Sequence, residues 1–142
     1  MRTSCRQPHN MTIRKITIEL HGRLKKATFE YDRGDIALTV KVPGEPEKTY
    51  TDVDYYACLG KVRRDFPNVK FLCKGSKINV YPSRMCSQMA RGLVAYEVCW
   101  GKAADSENIV QIFDYEDKNL ATDIKAQFDY HRSWMLSLRN GS

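Results

Sequence analysis

Apolar and polar residues alternate from Lys15 onward. Ile16, Ile18 and Leu20 fall on one side of an extended chain, with Lys15, Thr17 and Glu19 on the other, the two-residue period of a half-buried strand. His21-Gly22 interrupts the run, and it resumes with Ala27, Phe29 and Tyr31 opposite Thr28 and Glu30. Asp32-Arg33-Gly34 reads as a hairpin turn, its glycine supplying a positive φ, before a third strand through Ile36, Leu38, Val40 and Val42. Three strands joined by short turns predict an antiparallel meander with one apolar face.

Pro43-Gly44-Glu45-Pro46 breaks the pattern, and the period then changes. Tyr56, Leu59, Val62 and Phe66 recur at helical spacing behind a cap at Thr51 or Asp52, with Asp54 in the first turn, Lys61, Arg64 and Asp65 opposite, and Pro67 as the stop. Val69, Phe71 and Cys73 begin a strand that turns at Lys74-Gly75-Ser76 into a return strand through Ile78 and Val80. Ser83 caps a short helix carrying Met85 and Met89, which Gly92 ends. Leu93 to Trp100 and Ile109 to Phe113 read as strands. Leu120, Ile124, Phe128, His131, Met135 and Leu138 form the stripe of a last helix, with Asp117 and Asp123 near its start and Arg139 near its end. The expected fold is α+β: a mainly antiparallel sheet of six to seven strands, with two longer helices and one short helix packed against it. Residues 1–14 are expected to be a loose N-terminal extension and 15–142 a single domain.

The 142 residues, 42% hydrophobic and 28% charged, suit one globular domain and favour neither a disordered nor a fibrous chain. Apolar stretches such as Leu93 to Tyr96 are far shorter than the roughly 20 residues a membrane span needs, and no apolar core follows the basic N-terminus. The expected location is cytoplasmic, without membrane contact. Five cysteines (Cys5, Cys58, Cys73, Cys86 and Cys99) lack metal-ligand spacing, and the last four sit in apolar patterns as buried, reduced thiols.

Candidate chemistry is sparse. A thiol nucleophile would need a histidine, and only His9, His21 and His131 exist; Cys86 with His131 is the one pair to consider. Asp114, Glu116 and Asp117 could gather around a cation or act as a base, but read better as a solvated turn. The net charge is +6, and Arg63, Arg64, Lys70, Lys74, Lys77, Arg84 and Arg91 cluster in the middle third with Phe71 and Tyr81. That pattern supports a small basic nucleic-acid-binding module as the second reading. No catalytic residue, metal or cofactor is predicted. The candidate partner contacts are Arg63, Arg64, Arg84 and Arg91 on the basic side and Tyr115, Glu116 and Asp117 on the acidic side.

A more distinctive run lies in the middle of the chain. It comprises Leu72-Cys73-x-Gly75, Asn79-Val80-Tyr81-Pro82-Ser83-x-Met85, Met89, Gly92, Ala95-Tyr96, Gly101-Lys102 and Val110-x-Ile112-Phe113-Asp114. Over about residues 53–117, this resembles small bacterial immunity proteins encoded beside polymorphic toxin genes, including those of contact-dependent growth inhibition. The resemblance implies a non-catalytic protein that binds and neutralises the C-terminal domain of a cognate toxin, with nucleases a prominent toxin class. The motif residues themselves read as structural and are not carried over as contacts. A basic inhibitor then requires a toxin with an acidic face, or a contact through a local acidic patch such as Glu116-Asp117.

Overall fold

The computed structural model describes residues 11–32 and 34–140. Strands β1 (Met11–Leu20) and β2 (Arg23–Asp32) form a long antiparallel ribbon, registered from Met11↔Asp32 to Leu20↔Arg23. His21 and Gly22 both adopt positive φ (54° and 78°) at its tip, the backbone that a two-residue hairpin loop of matching twist requires. Strands β3 (Leu38–Lys41), β4 (Lys48–Tyr50) and β5 (Val69–Phe71) complete a five-stranded sheet ordered β4-β3-β2-β1-β5. Its outer face is polar: Lys15 Nζ donates to Thr28 Oγ1 at 2.8 Å and Lys26 Nζ to Thr17 Oγ1 at 2.7 Å. Its inner face buries Ile16, Ile18, Ala27, Phe29, Leu38 and Val40.

Helix α1 (Tyr55–Asp65) covers that face with Tyr55, Tyr56, Leu59 and Val62, all buried. Phe29 meets Phe113 edge-on at 5.2 Å and Phe71 at 6.1 Å. Each such side chain contributes about 1.5–3 kcal/mol of burial, so this aromatic centre dominates the stability of the fold. A second sheet, ordered β6-β7-β8, contains β6 (Val80–Tyr81), β7 (Val94–Glu97) and β8 (Ile109–Gln111). Helix α2 (Arg84–Met89) lies between β6 and β7, and α3 (Ile124–Asn140) closes the described chain.

The α+β class and the antiparallel pairing agree with the sequence pattern, but the described residues form two sheets instead of one and eight strands instead of six or seven. The predicted hairpin at Lys74–Ser76 is a turn of 3₁₀ helix that carries the chain from the first sheet to the second. Long-range contacts decide this: Lys74 N donates to Asp114 O at 2.8 Å and Gly75 N to Ile112 O at 2.7 Å. A Cβ at Gly75 would lie 2.6 Å from Leu59 Cδ2, so only glycine fits this crossing.

The first strand starts at Met11, so residues 11–14 of the predicted extension are paired; residues 1–10, with Cys5 and His9, lie outside the described residues. At the predicted turn the Gly34 amide donates to Asp32 Oδ1 at 2.8 Å, and Arg33 lies outside the described residues. Strand β4 follows the proline loop, where no strand is predicted. The cap of α1 is Asp54, whose Oδ1 accepts from Ala57 N at 2.8 Å. Asp52 instead accepts from Val53 N and pairs with Lys61. Ser83 caps α2 as expected, accepting from Cys86 N at 3.0 Å. Cys58, Cys73 and Cys86 are buried free thiols, whereas Cys99 is exposed.

Candidate functional site: an apolar groove beside the last helix

Helix α3 has the predicted period but a different phase. Gln127 and Trp134 are buried, whereas Phe128, Met135 and Leu136 are 43%, 53% and 54% exposed. The helix is held by polar anchors. Gln127 Nε2 donates to Gly75 O at 2.8 Å and Lys77 O at 2.7 Å, while its Oε1 accepts from Arg63 Nη2 at 2.5 Å. Further along, Trp134 Nε1 donates to Cys99 O at 2.9 Å and Lys102 O at 3.0 Å. Asp123 begins the helix, accepting from Ala126 N at 2.8 Å, and Ile124 packs so close to α1 that a Cβ at Gly60 would meet its Cδ1 at 2.8 Å.

These anchors leave a groove of about 460 Å³ between α3, β6 and the segment after β7, walled by Tyr81, Tyr96, Val98, His131, Trp134 and Met135. The rings form a continuous band. His131 stacks on Tyr81 at 4.4 Å and meets Trp134 at 5.2 Å, and Tyr81 meets Phe128 at 6.2 Å. Trp100, 58% exposed, touches Tyr130 at 5.9 Å beside it. Burial lowers the His131 imidazole below its ordinary value, which favours the neutral, stacking form. Arg84, Lys102, Arg132 and Arg139, each adjacent in the chain to a groove or band residue, are exposed and form no ion pair among the described residues. Arg132 sits over the Phe128 ring at 5.9 Å. Exposed aromatic, Met and Arg side chains around a concave apolar centre are the composition of a protein-binding hot spot.

The predicted contact residues do not share one surface. Arg84 borders the groove and Arg64 is exposed near Asp65, while Arg91 lies by α2 with φ 57°. Arg63 is buried at 6% exposure and is no part of an outer basic surface. Glu116 is also withdrawn: it accepts from Lys74 Nζ and Lys77 Nζ, both at 3.0 Å, and Glu97 closes the network with the same two lysines. Burial works to raise its pKa, but the Lys118 amide and the two ammonium groups hold it down at about 2. Lys74 and Lys77, counted in the basic cluster, are therefore neutralised inside the molecule. Asp114 pairs with Arg14 at 3.1 Å and Asp117 accepts from Tyr115 Oη at 3.2 Å, so the three carboxylates engage different partners. Among the described residues no cluster of His, Cys, Asp or Glu could hold a metal ion, and no hydrogen bond joins Cys86 to His131. No helix among them is long and apolar enough to cross a membrane.

The groove is not legible in the sequence, because Phe128 and Met135 satisfy the helical period of a core stripe that leaves out Trp134, one step away. Compared with known proteins, the chain matches no family model and no curated sequence.

Proposed function

We propose that this protein is a non-catalytic binding protein that neutralises a bacterial toxin domain, docking through the α3 groove. The observation that carries the reading is the outward-facing aromatic and methionine surface of α3 with its unpaired cationic rim. Soluble domains rarely present such a contiguous apolar face without a partner for it. The rim selects an acidic partner surface bearing an apolar anchor, because opposite charge speeds encounter and the anchor supplies affinity. Of the two routes open to a basic inhibitor, an acidic toxin face is favoured, since the Glu116 carboxylate is spent on Lys74 and Lys77. The immunity role itself rests on the 72–114 motif run, and the groove supports the binding part of it.

The test is co-expression with the toxin gene neighbouring this one in its native genome. The wild-type chain should restore growth and form a complex with the purified toxin domain. Met135→Ser with Leu136→Ser should abolish both while the protein stays folded by circular dichroism. No rescue and no complex for the wild type would remove the proposal. Salt-sensitive binding to RNA or DNA without toxin binding would favour the nucleic-acid module instead.

A further inference from the structure

We propose that the cleft between β5, the end of α1 and the 115–122 segment is a binding site for a carboxylate carried on an apolar body, with Arg63 as its charge receptor. The cleft measures about 570 Å³ and lies apart from the α3 groove, so this inference does not depend on the toxin reading. Its walls include Phe71, Leu72 and Leu120, with Ser76 and Thr122 also in the lining. Arg63 lines it and is 94% removed from solvent, the complement of its 6% exposure.

Among the described residues the guanidinium there is unlike every other cation. Its Nη2 donates to the uncharged Gln127 Oε1, while Nε and Nη1 make no hydrogen bond. No carboxylate forms an ion pair with it among the described residues. A buried cation with neither counter-ion nor full hydrogen bonding is costly, and such groups are retained where something else completes them. Nη2 spends one of its two N–H groups on Gln127. Its second, with an N–H of Nε or Nη1, leaves the planar fork that a carboxylate accepts from bidentately.

The surroundings select the kind of anion. Lys70 adds a second cation to the lining, but Glu19 and Asp117 balance the pair. The cleft as a whole therefore favours a single negative charge over a phosphate dianion, and its apolar walls favour a hydrocarbon or aromatic body behind it. Nε and Nη1 are shut off from bulk water. The head group thus docks in a dry site, where a charge-assisted bond is stronger than at the surface. Seating it takes side-chain rotation in the cleft floor, so association runs below the diffusion limit.

The test titrates the full chain with 3-phenylpropionate, its neutral amide, inorganic phosphate, and a short peptide ending in Phe with a free or amidated carboxyl. Calorimetry and the Arg63 Nε–H resonance are the readouts. We expect saturable binding of 3-phenylpropionate with a shift of that resonance, at least tenfold weaker binding of the amide, and no saturation by phosphate at the same concentrations. Binding of the free-ended peptide as well would identify a chain terminus as the source of the carboxylate; binding of the free acid alone would identify a small molecule. Arg63→Met, which fills similar volume without charge, should remain folded and lose the response. If that variant does not fold, the resonance shift in the wild type decides. Equal binding of acid and amide, tighter binding of phosphate, or an unmoved Arg63 resonance overturns the proposal.

Discussion

The two long helices of this chain are attached to the same core by opposite means. Helix α1 turns its apolar residues inward: Tyr55, Tyr56, Leu59 and Val62 are buried in the core, Tyr56 against β6, and Arg64 faces water. Helix α3 turns a glutamine and an indole inward, docking by hydrogen bonds from Gln127 and Trp134 to backbone carbonyls, and leaves Phe128, Met135 and Leu136 outside. Burial of hydrocarbon is non-directional and strong, so α1 supplies cohesion. Hydrogen bonds contribute less net energy but fix orientation, so α3 is placed rather than glued. A helix so placed keeps its apolar residues free for a partner.

The contrast can be broken by substitution, and the effects on stability should descend in order. Leu59→Ala empties the fully buried centre beneath α1 and should cost about 4 kcal/mol in urea unfolding, through lost transfer energy and a cavity. A cost below about 1 kcal/mol would mean that α1 is not the source of cohesion. Gln127→Ala strips the Arg63 side chain of its one hydrogen bond and leaves the Gly75 carbonyl unpaired, while Lys77 O keeps the Val80 amide; about 3 kcal/mol is expected. Hydrogen exchange should show that loss confined to α3, and uniform loss across α1 would erase the distinction between the helices.

Acid should act next, through the network that braces the turn before α3. The folded pKa of Glu116, about 2 against an ordinary 4.5, makes its contribution fully present above pH 4.5 and lost as pH falls toward 2. The expected loss is about 2 kcal/mol, and Glu116→Gln should flatten this limb of the pH profile. An acid limb unchanged by that variant would locate the sensitivity elsewhere. Smallest of all, Met135→Ser should change stability by about 0.5 kcal/mol, because the side chain is already half exposed. Its effect belongs to partner affinity, at least tenfold by calorimetry with the toxin domain. A large stability loss instead would show that the outer face of α3 is structural.

Local pattern made the ribbon and α1 legible in the sequence. Alternation through Ile16, Ile18, Ala27 and Phe29 and the helical spacing of Tyr56, Leu59 and Val62 are short-range signals that the fold obeys. The division into two sheets was not legible, because Lys74-Gly75-Ser76 has a composition that a hairpin and a 3₁₀ turn share. The choice was made by Ile112 and Asp114, almost forty residues away. The groove was hidden for a related reason. Hydrophobic periodicity locates a helix but cannot distinguish a face meant for the core from one meant for another molecule. Arg63 reads as a surface cation because its neighbour Arg64 is one, yet a single step around a helix separates buried from exposed.

Both tryptophans of the chain, Trp100 and Trp134, lie in the corner where α3 meets the segment after β7. Light absorbed at the red edge of the ultraviolet band, where tyrosine is transparent, is therefore collected from this corner alone. Emission colour and quenching will follow the seating of one helix, and occupation of the surface beside it, without a dye or an added label.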